Sequence, residues 1–307
     1  MTAVPRVLIL GASGQVGIEL QRSFAGFGEI VAADRSRVDL AVPDQIRDAV
    51  RHARPDVILN AAAYTAVDRA ESEPELAMAI NGRAPGILAE EARRHNSVLV
   101  HYSTDYVFDG TKAGSWTESD QTNPLNVYGA SKLAGEQAIQ QAGGKYLIFR
   151  TSWVYGPQGR NFLLTMLRVG RERDRLSIVD DQRGAPTTSI EIADATRAII
   201  GGIFAGRFGA SESWAGLCHM TCSGSTTWYG FAEAIFAQAA SLLGGRTPEL
   251  TPLTSAEYPT PARRPANSVL SYALLQSRFQ TQLAPWEAAL SAVMKSLSRQ
   301  EQTAPAP

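Results

Sequence analysis

The sequence predicts an α/β fold: a doubly wound parallel sheet with a smaller, discontinuous lobe toward the C-terminus. Three observations carry this. Short apolar runs alternate with longer amphipathic stretches through the first half of the chain, the order expected of strands joined by right-handed helical crossovers. Several runs are apolar at every position, as strands buried on both faces are. The first run also passes directly into a glycine-rich turn.

The strands expected in order are Val7–Leu10, Ile30–Ala33, Val57–Leu59, Val98–Tyr102 and Tyr146–Phe149. Between them, helices are expected over Val16–Phe24, Pro43–His52, Glu75–Arg94 and Ser131–Ala142. The apolar runs are too short to be helices, and the stretches between them carry apolar residues at helical spacing. After about residue 155 the alternation weakens, and Gly156-Pro157, Gly184-Ala185-Pro186 and Pro248–Pro265 introduce turns. Further helices are expected at Asn161–Gly170, Ile190–Phe204, Thr227–Leu243 and Pro285–Ser298. Residues 1–155 thus read as one domain to which some later segments return, 156–300 mainly as the second lobe, and 301–307 as a tail, with Gln302–Pro307 frayed.

Composition narrows the class of partner. The chain has 307 residues, 44% hydrophobic and 19% charged, which fits a soluble globular protein rather than a disordered one. A formal net charge of -1 with no basic stripe argues against nucleic acid or an anionic membrane as the main partner. The start MTAVPRVLILGASG lacks the basic end and long apolar core of a signal peptide. No later run approaches the ~18 apolar residues of a membrane span. With only Cys218 and Cys222, too few for a disulfide scaffold, the expected compartment is the cytoplasm. Cys218-His219-x-x-Cys222 lacks a fourth ligand for a tetrahedral metal and reads as a strand ending in a turn.

Gly11-Ala12-Ser13-Gly14-Gln15-Val16-Gly17 stands between a strand and an amphipathic helix, the context that gives a glycine motif meaning. Gly11 suits the tight turn, Gly14 the approach of a pyrophosphate, and Gly17 close packing of helix on strand. This is a Rossmann-type dinucleotide site. At the end of the second strand, Asp34 suits a ribose hydroxyl of NAD, while Arg35 suits the extra phosphate of NADP; the pair leaves NADH and NADPH both open. Asp39-Leu40 falls where a loop would cover the adenine, or where Asp39 would serve as a turn residue. Ala61-Ala62-Ala63-Tyr64 ends the third strand with side chains small enough to lie against the cofactor.

The fourth strand delivers Ser103-Thr104-Asp105 at the sheet edge where α/β ligands bind. Tyr128 and Lys132 are four residues apart and share a helix face. An ammonium near a phenol favours the phenolate and is expected to lower the tyrosine pKa. Together these parts describe ketone reduction by a reduced nicotinamide. Tyr128 gives the proton, Thr104 polarises the carbonyl, and Lys132 assists Tyr128 and holds the nicotinamide ribose.

The combination resembles the extended short-chain dehydrogenase/reductase superfamily and, within it, the dTDP-4-dehydrorhamnose reductase family. The matching segments beyond the glycine motif are 63–71, Ser103-Thr104-Asp105-Tyr106-Val107-Phe108-Asp109-Gly110, 150–156, Asp180-Asp181-Gln182-Arg183-Gly184-Ala185-Pro186-Thr187, and Arg263-Arg264-Pro265-x-Asn267-Ser268. The resemblance runs from about residue 5 to 298. It implies reduction of dTDP-4-dehydro-6-deoxy-L-mannose to dTDP-L-rhamnose for cell-surface polysaccharide, with Thr104, Tyr128 and Lys132 catalytic. It implies that Val67, Asp68, Thr104, Asp105 and Trp153 line the sugar-nucleotide pocket; Arg263 or Arg264 would grip the diphosphate. It also implies a homodimer, with Mg²⁺ at the interface in some members, near Glu191 here. Three rivals remain: a nucleotide-sugar 4-ketoreductase giving 6-deoxy-L-talose, an epimerase, and a non-catalytic regulatory subunit of the same fold.

Overall fold

The structure, a computed structural model, describes residues 4–303. At its centre are five strands, β1 (Arg6–Leu10), β2 (Glu29–Ala33), β3 (Val57–Asn60), β4 (Val98–Thr104) and β5 (Lys145–Thr151), in the order β2-β1-β3-β4-β5. The strand Gly216–His219 extends this sheet beside β5, so the chain returns from its second half to complete it. Every neighbouring pair is parallel. All six strands therefore present their carboxyl ends at one edge, and the strand order reverses at β1 and β3, where a crevice opens.

The strands are apolar through most of their length because helices cover both faces. Val7, Ile9, Leu59, Val100 and Phe149 pack with Leu20 and Phe24 of the helix Gln15–Phe24 and with Ile192 and Ile199 of Ser189–Phe204. Their neighbours along each strand, Leu8, Leu10, Ile58, Leu99 and Ile148, face Ile46, Val50, Leu88 and Ile139 on the other side. The second cluster draws on the helices Pro43–Ala53, Ala84–Arg94 and Val127–Ala142.

Three elements depart from expectation. The helix expected over Glu75–Arg94 is interrupted by a π-type turn, Met78–Arg83. The helix expected from Ser131 begins at Val127, because the Asn126 side chain accepts the Gly129 N–H at 2.8 Å and caps it; Tyr128 thereby joins the first turn. Thr227–Leu243 divides into Trp228–Gln238 and a short 3₁₀ turn, Ser241–Leu243. Of the elements that were not anticipated, two are the longest. One is the parallel pair Arg175–Val179 with Glu249–Leu253, whose exposed faces and Pro252 hide a strand pattern. The other is the helix Ala273–Phe279. The last helix, Trp286–Thr303, runs into the expected tail, and residues 304–307 lie outside the described residues.

Candidate active site

The turn after β1 is built around a missing Cβ. Gly11 has φ +77, and a Cβ there would fall 2.6 Å from the Ala62 backbone nitrogen. A Cβ at Gly17 would strike the Gly11 carbonyl, so the helix can start this close to the strand only with glycine at that position. Gly14 caps the helix without any side-chain hydrogen bond, leaving the first-turn N–H groups for an anion. These features fit a pyrophosphate. Gln15 latches a second loop onto the turn. Its Oε1 accepts from Asn161 Nδ2 at 2.8 Å, and its Nε2 donates to the Arg160 carbonyl at 3.3 Å. Val16 packs against the core.

Asp34 and Arg35 follow β2 at the same edge. Asp34 Oδ1 accepts from the Ser36 amide at 3.0 Å and the Ser36 hydroxyl at 2.6 Å, which holds the carboxyl below its ordinary range. Arg35 is exposed and reaches Asp39 only at 3.5 Å. Asp39 accepts the Ala41 N–H at 2.9 Å and acts as a turn residue, while Leu40 is buried in the core. The Leu40 side chain sits between sheet and helix. Ala61, Ala62 and Ala63 follow β3 against the glycine turn; Ala61 N–H donates to Leu10 carbonyl at 3.0 Å. Asn81 staples the next residue, accepting from Tyr64 N–H at 2.8 Å and donating to its carbonyl at 2.9 Å. The Tyr64 hydroxyl is turned to Glu73 at 2.6 Å.

At the end of β4, Thr104 and Asp105 are buried, and the Thr104 hydroxyl donates to Asp105 Oδ1 at 3.0 Å. The Tyr128 hydroxyl comes close enough to Thr104 to feel it electrostatically, so the two groups expected to meet a carbonyl stand near each other. The electrostatics differ from expectation. Burial pushes the Tyr128 phenol up to about 12; the Thr104 hydroxyl opposes this and the Asp105 charge adds to it. Lys132 does not lower it, because its ammonium is turned elsewhere. Burial also raises Asp105 to about 7, against the hydrogen bond from Thr104, and brings Lys132 down to about 8, opposed by Glu136.

Lys132 Nζ donates to the Tyr102 carbonyl at 2.6 Å and lies 3.1 Å from His101 Nε2. One turn on, Glu136 is fully buried and takes a bidentate pair from Arg150, at 2.9 and 2.6 Å, and the Ser103 hydroxyl. Two cross-strand pairs, Asn60–His101 and Ser103–Arg150, thus carry the helix Val127–Ala142 on a polar strip of the sheet.

A cavity of about 990 Å³ is lined by Asp68, Gln182, Trp228, Tyr258, Arg263 and Arg264, among others; Val67, Thr104, Asp105, Tyr128 and Trp153 do not line it. Asp68 and Arg264 hold each other, with Arg264 donating at 3.0 and 2.8 Å, and Asp68 also accepts the Ala262 N–H at 3.2 Å. This pair fixes the cavity rim. Arg263 beside it is exposed on the cavity wall. Asn126, the cap of the catalytic helix, donates to the Arg263 carbonyl at 2.7 Å, tying the rim to the first turn that carries Tyr128. Val67 opens the short helix bearing Asp68. Trp153 has φ +46, stacks on Trp228 with ring centroids 3.6 Å apart, and leaves room only for glycine at position 184.

Comparison with known proteins decides the family. The chain matches the RmlD substrate binding domain family over residues 5–299. It is 46% identical to the dTDP-4-dehydrorhamnose reductase of Burkholderia thailandensis, over 96% of this chain and 100% of that one. The chain belongs to the dTDP-4-dehydrorhamnose reductase family. The Escherichia coli K12 reductase is 43% identical over 95% of this chain and 97% of its own. The dTDP-4-dehydrorhamnose reductase of Bacillus anthracis, solved in complex with NADP, superposes with a TM-score of 0.86 at 34% identity, covering 95% and 99% of the two chains. A UDP-glucose 4-epimerase from Thermus thermophilus, at 20% identity and TM-score 0.76, shares the fold.

For this reductase-family chain, sequence reasoning missed His101, Asn60, Glu136, Arg150, Asn126 and Trp228. Arg150 did leave a signal, since a charge inside an otherwise apolar strand is rarely buried without a partner. Glu191 is engaged within the chain, accepting the Ala284 N–H at 3.0 Å. No group of three or more His, Cys, Asp or Glu side chains that could hold a metal is assembled among the described residues. Cys218 and Cys222 are buried thiols pushed up to about 12, and buried His219 is brought down to about 3 by burial and by Arg150.

Proposed function

We propose that this chain uses NADPH or NADH to reduce the 4-keto group of dTDP-4-dehydro-6-deoxy-L-mannose, giving dTDP-L-rhamnose for cell-surface polysaccharide. The observation that carries the reading is buried Thr104 with half-buried Tyr128 near it at the carboxyl edge, beside a glycine turn fit for a pyrophosphate. When bound, the reduced nicotinamide supplies the hydride. Tyr128 enters as a phenol, since its pKa near 12 keeps the proton in place until an alkoxide develops. Thr104 directs its hydroxyl at the carbonyl oxygen. Lys132, one turn along the same helix, holds the nicotinamide ribose.

The substrate's diphosphate is assigned to Arg263. Arg264 is committed to Asp68, and its part is to hold the rim on which Arg263 stands. Val67, Asp68, Asp105 and Trp153 complete the sugar-nucleotide pocket, with Trp153 braced by Trp228. Family resemblance further implies a cytoplasmic homodimer. Proton NMR of the product tests the reading: an equatorial hydroxyl at carbon 4 is expected. An axial one would identify the 6-deoxy-talose reductase instead.

A further inference from the structure

The buried strip beneath Lys132 contains a histidine that the hydride-transfer scheme leaves without a role. His101 is fully buried on β4, and Asn60, its direct cross-strand neighbour, meets it with Nδ2 and Nδ1 3.0 Å apart. Its other ring nitrogen faces Lys132 Nζ at 3.1 Å, while Tyr102 carbonyl accepts from the same lysine at 2.6 Å. Asn60 in turn accepts the Ala62 N–H through Oδ1 at 3.3 Å. An unbroken line of polar groups therefore runs from the catalytic lysine to the backbone that lies against the glycine turn.

We propose that His101 is a positioning residue for Lys132: with Asn60 behind it, the imidazole fixes where the lysine nitrogen sits and ties the lysine's charge to its own tautomer. The proposal rests on the catalytic reading of Lys132 above. A neutral imidazole has one N–H and one lone pair. Burial and the neighbouring Lys132 charge keep His101 neutral, far below its ordinary range. An ammonium on Lys132 needs the lone pair on Nε2, so the ring proton sits on Nδ1 and Asn60 must offer its amide oxygen. An amine on Lys132 accepts the reverse arrangement, with the ring proton on Nε2 and Asn60 donating to Nδ1. Only the second leaves Asn60 Oδ1 for Ala62. The lysine's proton is thus coupled to an amide beside the glycine turn. The other ionisable group that bears on Lys132 is Glu136 on its own helix, which is itself paired with Arg150 from β5.

The test is ¹⁵N-histidine NMR of the full chain without cofactor, the His101 signals being assigned among four histidines with His101→Gln. Between pH 6 and 10 the ring should stay neutral while its proton moves from Nδ1 to Nε2, and in Lys132→Met the tautomer should not move with pH. In turnover, His101→Phe should lose 10–100-fold in kcat, and His101→Gln, which can offer an amide in the same space, should recover at least half of that loss on a logarithmic scale. Melting temperatures identify a misfolded variant, and the NMR arm on the parent protein stands without any variant that must fold. A single pH-independent tautomer in the parent, or unchanged kcat and KM in folded His101→Phe, overturns the proposal. Full turnover in Lys132→Met overturns instead the catalytic reading beneath it.

Discussion

Tyr128 shows how burial and function divide at a single residue. Its phenol is held up near 12 rather than drawn down, which suits an acid that must keep its proton until an alkoxide forms. Tyr128→Phe removes that proton and little volume. Its kcat should fall by roughly 10²–10⁴-fold, with cofactor binding by fluorescence titration and melting temperature close to the parent. Asp105 makes a prediction about stability. Its folded pKa, about 7, lies above the ordinary carboxylate value, so the neutral form is the one the fold prefers. The stability it contributes is complete below about pH 4 and is lost as pH rises toward 7. Asp105→Asn cannot ionise and should gain on the parent by roughly 1–3 kcal/mol between pH 5 and pH 8 in urea unfolding. An equal gap at both pH values would show that the carboxyl is not raised.

The catalytic helix Val127–Ala142 is held by charges rather than by apolar packing alone. Glu136 and Arg150 are both buried and pair bidentately, with Ser103 on the same carboxylate. Removing one partner strands the other, so Arg150→Met should destabilise by about 3–5 kcal/mol, read by chemical denaturation. At the N-terminus, Asn126 both caps the helix and holds the Arg263 carbonyl. Asn126→Ala should cost about 1 kcal/mol of stability and also raise KM for the sugar nucleotide, since the cavity rim loses its tie. A change in stability with unaltered KM would separate the two roles. The sequence showed the helix but put its start four residues late: an Asn cap before Val-Tyr-Gly is a weak signal when glycine and a β-branched residue follow. It could not show Glu136 meeting Ser103, because a contact 33 residues apart depends on the register of β4 against β5.

Across the whole molecule, the parallel sheet and its glycine turn were legible because each leaves a local pattern: apolar runs buried on both sides, and glycines whose Cβ would collide with Gly11 or Ala62. Thr104 and Tyr128 were legible as chemistry, through a strand end and a helix expected at one sheet edge. The burial of Leu40 was not legible, since an apolar residue after a turn looks the same whether it covers a ligand or a core. The pairing of Asp68 with Arg264, 196 residues apart, was invisible, and it is the reason the proposed diphosphate contact falls to Arg263. Arg263→Ala should raise KM for the sugar nucleotide at least tenfold with kcat nearly intact. Arg264→Ala should disturb the rim and lower both kcat and thermal stability. The central claim, that this chain is a nicotinamide-dependent reductase of the 4-keto sugar, is tested most directly by one absorbance trace. Purified protein is mixed with NADPH or NADH, the dTDP-4-keto-6-deoxy sugar and its upstream epimerase, and the reduced cofactor is followed. Stoichiometric consumption that disappears in Tyr128→Phe is the predicted result; a flat trace with the parent protein and both cofactors would contradict it.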